Sequence, residues 1–251
     1  MTERGRRTLQ RDGEHIAIGP SRALWDGTAL TIAFDEIAVP VPKRLKGKVR
    51  VIPSAITTQA YAIDGQAQHH WWPIAPVADI EVTLSHPALS WKGHGYCDSN
   101  WGSHPLENAF ERWDWSRARL CERPGAAILY DAVHRPPPQD TASGAGPVFP
   151  RTRTLALHID EKGHAEPFEP GPRRDLGRGF WGVQRYSQAD AGHDIAIRKV
   201  LEDSPFYART VLDTTLLGER VEAVHESLSG DRFKTSIVKA MLPFRMPRRV
   251  R

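Results

Sequence analysis

A chain of 251 residues, 40% hydrophobic and with a net charge of only +4, has the composition of an ordinary globular protein and the length for one large domain or two smaller ones. So mild a charge gives no support to a nucleic-acid role, and no stretch approaches the roughly 18 uncharged apolar residues that a membrane-spanning helix needs. The opening MTERGRRTLQRDGEH is charged throughout and has no apolar signal-peptide core, so a soluble, cytoplasmic, non-secreted protein is expected, with Cys97 and Cys121 as free thiols.

In chain order, Asp26-Gly27 marks a hairpin turn between Ala23-Leu24-Trp25 and a strand in which Leu30, Ile32 and Phe34 alternate with Thr31, Ala33 and Asp35. Further strand-like runs cover 48–52, 79–84, 126–132, 179–186, 194–200 and 220–225. Leu155, Leu157 and Ile159 alternate ahead of a turn at Glu161-Lys162-Gly163. Helices are predicted only at 106–113 and after Ser229. Residues 135–150, RPPPQDTASGAGPVFP, cannot build a core and read either as a linker or as an enlarged hairpin loop. Many short strands between turns predict an all-β sandwich or barrel. Basic residues gather at Lys43, Arg44, Lys46, Lys48 and Arg50, and again at Arg245, Arg248, Arg249 and Arg251. These read as solvated loop and tail, or as attraction to an anionic membrane surface.

The segment 91–118, WKGHGYCDSNWGSHPLENAFERWDWSRA, holds four of the eight tryptophans. If GYCDSN is extended, Tyr96, Asp98 and Asn100 share one face and Cys97 and Ser99 the other. By the same alternation His69 and Trp71 share a face, with His70 and Trp72 opposite. A carboxyl group among hydrogen-bonding and aromatic side chains suits a general acid. A buried aspartate in a structural network fits the pattern equally well. His86, His94 and His104 match no standard metal spacing, and neither a P-loop nor an HExxH motif is present.

The run GHGYCDSNWGSHPLENAFERWDWSRA resembles the signature segment of the acyclic carotenoid 1,2-hydratases, also called hydroxyneurosporene synthases. WWPIAPVADIEV, DSPFYARTVL, VHESLSGDRF and MLPFRMPRR resemble the same family in the same order, so the likeness extends over nearly the whole chain. It implies two lipocalin-like barrels packed together, divided near residue 110 into units 1–110 and 111–251. The family usually carries several dozen residues ahead of the point where MTERGRR begins. That leaves open whether Met1 is native, internal or a late start, and whether the first barrel lacks its first strands. The 135–150 loop is also longer than the family's usual turn.

The resemblance further implies cofactor-independent, metal-free addition of water across the terminal C1=C2 bond of an acyclic carotenoid such as neurosporene or lycopene, in a carotenoid-making, photosynthetic bacterium. An alkene is a very weak base, so its proton must come from a carboxylic acid kept neutral by burial. The family's acid matches Asp98. Tyr96 and His69 are expected to orient it or the attacking water, and Trp71 to face the tertiary cation with its ring. Asn100 is expected to hold water, with Trp101 and Trp91 against the substrate. Trp113, Trp115 and Trp181 read as core or pocket wall, and Glu107, Asp114 and Arg117 as supporting ion pairs. A polyene cyclase or isomerase on the same scaffold, and a non-catalytic carotenoid or lipid carrier, are the competing readings. Contact with a membrane surface is expected, no nucleic-acid partner is, and the oligomeric state stays open.

Overall fold

The structure is a computed structural model that describes residues 4–38, 41–135 and 151–242. The 136–150 stretch and the basic tail at Arg245, Arg248, Arg249 and Arg251, with most of MLPFRMPRR, lie outside the described residues.

Strands dominate, as the period-two patterning predicts. A first, wholly antiparallel sheet contains β1 (Leu9–Arg11), β2 (His15–Ile18), β3 (Ser21–Trp25), β4 (Leu30–Ala38), β5 (Lys43–Pro53), β6 (Tyr61–Ala62), β7 (His69–His86) and β8 (Ala88–Gly102). Its order is β1-β2-β3-β4-β5-β7-β6, with β8 also paired to β7. After the one-turn helix α1 (Leu106–Ala109), a second sheet is built from β9 (Phe110–Leu120), β10 (Gly125–His134), β11 (Thr152–Asp160) and β12 (Ala165–Pro167). The chain then makes a separate hairpin of β13 (Arg174–Arg178) and β14 (Gln184–Ser187). It rejoins the second sheet with β15 (Ala196–Asp203), β16 (Tyr207–Leu216) and β17 (Glu219–Ser229), and ends the described part in α2 (Gly230–Phe233) and α3 (Ser236–Met241). The second sheet's order is β12-β11-β10-β9-β17-β16-β15.

The all-β class is therefore found, with a correction to its form. Among the described residues no pairing joins the outer strands of either sheet, so neither is a closed barrel. β1 and β12 have three residues each and β6 only two, too short to carry a ladder around to the opposite edge. The Asp26-Gly27 turn forms as predicted, with Asp26 accepting from the backbone of Thr28 and Ala29 and Gly27 at φ +91°. The helix expected over 106–113 stops at Ala109. From Phe110 the chain pairs with β10 and β17, and burying both faces of a strand outweighs local helix propensity. Within the predicted strand 179–186, the first five residues are instead the turn leading into β14, with Gly182 in the left-handed region.

Alternation along the second sheet sends its residues to two cores. One face carries Trp115, Ala126, Ile128, Tyr130, Leu157 and Ile159, which pack with Phe110 against Trp71, Val77 and Ile63 of the first sheet's segment. The opposite face carries Ala118, Ala127, Leu129, Leu212 and Ala223 in a separate cluster. The first contact surface, between the two sheets, positions the site described next.

A candidate active site between the two sheets

The long β7–β8 ribbon would point Trp71 and Ala75 to the same side if its ladder were regular. Trp71 pairs with Asn100 and Trp72 with Ser99, but Ala75 pairs with Cys97 and Ala78 with Gly95, so β7 gains an extra residue twice. Pro73 and Pro76 lie in those two irregular intervals. Neither has an N–H to give to the ladder, which is why the WWPIAPVA segment bulges where it does. Trp71, Val77, Tyr96 and Asp98 consequently face the second sheet, while Ala75, Ala78 and Cys97 turn into the first sheet's own cluster. Arg117 of β9 anchors the bulge, donating from Nε (3.1 Å) and Nη2 (2.9 Å) to the Pro76 carbonyl.

On the face turned to the second sheet, three side chains converge on one oxygen of Asp98. Tyr96 donates its hydroxyl to Oδ2 at 3.1 Å, Trp71 its indole N–H at 3.1 Å, and Asn100 its amide at 3.4 Å. The Trp71 N–H is shared with the Tyr96 hydroxyl oxygen at 2.9 Å. Among the described residues Oδ1 takes no hydrogen bond. Aromatic rings surround the group: Trp71 is 0% exposed and lies 5.6 Å from Tyr61 and 5.5 Å from Tyr130, and Tyr96 lies 5.0 Å from Trp115. Trp113 completes the wall 6.2 Å from Tyr130.

Burial pushes the Asp98 carboxyl above the ordinary range; its three hydrogen-bond donors oppose this and do not overcome it. Burial, followed by the nearby Asp98, likewise raises the Tyr96 phenol well above its usual value, so Tyr96 remains a donor. With Oδ2 saturated by donors, the proton of the neutral acid belongs on Oδ1. The arrangement is a carboxyl group with one occupied and one open oxygen, bordered by aromatic rings.

Of the residues singled out from sequence, Asp98, Tyr96, Trp71 and Asn100 are brought together. His69 is not within their hydrogen-bond network. Its Nδ1 lies 2.7 Å from Asp64 and its Nε2 3.0 Å from the His104 carbonyl. Burial would raise Asp64, but the Gln68 N–H and the His69 ring outweigh it and hold the carboxyl low. Trp101, 46% exposed, stacks on His70 at 5.3 Å on the opposite face of the ribbon. Trp91, equally exposed, pairs with Val82, about 23 Å along β8 from Asp98. Trp181 sits apart against Phe180. Glu107 pairs with Lys239 and Asp114 with Arg112, as expected of ion pairs, whereas Arg117 bonds a carbonyl.

Sequence reading missed Tyr61, Tyr130 and the His69 partner Asp64. Alternation within AAILYDA places Tyr130 with Ile128 on one face; nothing local shows that this face meets Trp71. Among the described residues no three histidine, cysteine or acidic side chains come together in a way that could hold a metal ion.

Fold and site together define an all-β protein with an open-edged acid between two packed sheets. The chain belongs to the carotenoid hydratase CrtC family, whose model matches residues 1–251. It is 47% identical over 249 residues to an acyclic carotenoid 1,2-hydratase of Thiocapsa roseopersicina and 41% identical over 249 residues to one of Rubrivivax gelatinosus, in each case over 99% of this chain and 58% of the relative. The chain thus spans less than two thirds of the length of these two relatives. A third, from Cereibacter sphaeroides, is 35% identical over 99% of this chain and 84% of its own length. In fold the chain is similar to the crystal structure of an AttH candidate from Nitrosomonas europaea, with a TM-score of 0.59 at 13% identity, covering 89% of this chain and 72% of that one. It is also similar to CghA bound to Sch210972, with a TM-score of 0.50 at 13% identity over 88% and 74% of the two chains.

Proposed function

We propose that this chain carries the catalytic acid of a carotenoid 1,2-hydratase, with Asp98 protonating the terminal C1=C2 bond of an acyclic carotenoid. The observation that carries this reading is the one-sided hydrogen bonding of Asp98: all three donors meet Oδ2, and among the described residues Oδ1 takes no hydrogen bond. Transfer of the Oδ1 proton to C2 leaves a tertiary cation at C1 and a carboxylate whose new charge the Trp71, Tyr96 and Asn100 donors stabilise where it forms. The ring faces of Trp71 and its neighbours stabilise the cation. Water then attacks C1, and the proton it releases returns to the Asp98 carboxylate. Atoms balance as alkene plus water to tertiary alcohol, with no electron transfer. Family membership and the relatives' names support this substrate class.

In the same reading, the two sheets are the working parts of two lipocalin-like units that meet near residue 110. Among the described residues no helix is long and apolar enough to cross a membrane. We place the membrane-facing side at the far end of the first sheet, where exposed Ile37, Leu45, Leu89 and Trp91 stand among Lys43, Arg44, Lys46 and Lys92.

The test is anaerobic incubation with lycopene or neurosporene in detergent, in ¹⁸O-labelled water and without added cofactors. A product heavier by one labelled water is expected. An isomer of unchanged mass would replace the reading with a cyclase or isomerase, and stoichiometric pigment binding without turnover would replace it with a carrier.

A further inference from the structure

Two motifs that the reaction above leaves unused, FYART at 206–210 and VHES at 224–227, meet on the far side of the Asp98 box. Glu226 of β17 is directly opposite Trp115 of β9, so both side chains leave the same face of the second sheet. That face carries the Trp115 ring to 5.0 Å from Tyr96, whose hydroxyl reaches Asp98. On the other side of β17, Arg209 of β16 is the register partner of Glu226. It donates to Oε1 from Nε at 2.9 Å and from Nη2 at 2.7 Å, and Nε also reaches the Tyr207 hydroxyl at 3.0 Å. Two guanidinium contacts to one oxygen fix the carboxylate in place.

The groups that face Asp98 can be enumerated by element. β7 contributes the Trp71 N–H, β8 contributes Tyr96 and Asn100, with Cys97 next in the chain on the other face, β10 contributes Tyr130, and on β9 Arg117 is held by the Pro76 carbonyl. None of these is a second carboxylate. β17 supplies one in Glu226, with Arg209 behind it.

We propose that Glu226 is a positioning residue of the Asp98 site: a fixed negative charge on the facing sheet that keeps the Asp98 carboxyl in its acid form and favours a cation in the box between them, at a strength set by Arg209. The proposal rests on the acid-catalysed reading above. Like charges cannot both ionise cheaply in a poorly solvated site, and a carboxylate across the box attracts the positive carbon that forms there. Burial is the main cause that raises Asp98; Glu226 adds a smaller push in the same direction, weaker than the three opposing hydrogen bonds, and acts on Tyr130 in the same sense.

The experiment is carboxyl ¹³C NMR of aspartate-labelled protein, with the Asp98 signal assigned by its loss in Asp98→Asn and titrated without substrate. In Glu226→Gln the Asp98 midpoint should fall by about half a pH unit or more. In Arg209→Gln it should rise, because the negative charge has lost its counter-ion, and Arg209→Lys should stay near the parent. The high-pH limb of turnover should move with the midpoint in each variant. Unmoved midpoints, or shifts of the same sign in Glu226→Gln and Arg209→Gln, would overturn the proposal, since disturbed packing has no reason to follow the sign of the charge removed. A flat midpoint with hydration intact removes the role of Glu226 alone. Opposed midpoints without any hydration keep the coupling and remove the reaction.

Discussion

Half-buried Asp98 and buried Asp114 are both carboxyls raised by desolvation, yet their oxygens are used differently. Among the described residues, Asp98 receives neutral donors on Oδ2 only. Asp114, on the opposite face of the second sheet, is occupied on both oxygens: Oδ1 accepts from the Ser227 hydroxyl and the Tyr186 N–H, and Oδ2 from Arg112. Its neighbour His225 is equally enclosed, with Thr210 at Nδ1 and the Tyr186 carbonyl at Nε2. Desolvation therefore does not by itself distinguish a chemical acid from a structural one. The difference lies in whether an oxygen is left for something else to approach, and in whether the neighbours are aromatic rings or competing charges.

The largest effect expected from this contrast is on rate. Asp98→Asn should lower hydration by at least about 10²-fold, the lower end of what a general acid contributes, while folding and pigment binding persist. Asp114→Asn should leave turnover per folded molecule close to the parent. Equal losses of turnover in the two variants, measured on samples matched by near-UV circular dichroism, would erase the distinction.

Next in size is an effect on stability at His69. Its ring is committed to Asp64 and His104, so His69→Ala leaves Asp64 Oδ2 without its partner, although Gln66 and Gln68 still donate to Oδ1, and should cost about 3 kcal/mol in denaturant unfolding. If the variant unfolds like the parent but turns over slowly, His69 belongs to the chemistry instead.

The enclosed pair should show in the pH dependence of stability. Asp114 is raised to about 7, by burial above all, so between its ordinary pKa and 7 the folded state holds the extra proton and stability falls as pH rises. His225 is pushed down to about 4, also by burial, so between 4 and its ordinary value the unfolded state holds the extra proton and stability rises. The two slopes oppose each other and largely cancel from about pH 4 to 6.5. Asp114→Asn should unmask a rising slope there and His225→Gln a falling one, each worth on the order of 3 kcal/mol across the window. Unfolding curves with the same pH slope in both variants would contradict this.

The smallest change is Tyr96→Phe. Loss of one donor to Oδ2 should cost about 1 kcal/mol, or several-fold in rate. It should also move the high-pH limb upward, because the carboxylate form loses a stabilising partner. A downward shift would mean that Tyr96 does not act on the ionised acid.

Much of this protein is written in its local sequence. Alternation at Leu30–Phe34 and Leu155–Ile159 and the Asp26-Gly27 turn specify strands and a hairpin, because period and turn chemistry are properties of a few adjacent residues. The same holds for the shared face of Tyr96, Asp98 and Asn100, which follows from strand geometry alone. The helix signal at 106–113 was overridden at Phe110, where pairing with β10 and β17 outweighed propensity. His69 and Trp71 share a face by alternation, yet their partners come from Asp64 and His104 on one side and from β8 on the other, which no local pattern reveals. The bulges at Pro73 and Pro76, the arrival of Tyr130 and Trp115 around Trp71, and the placing of Glu226 behind them were decided by packing between sheets. Which face of one sheet meets which face of another is a property of the whole chain's burial, and only the tertiary structure settles it.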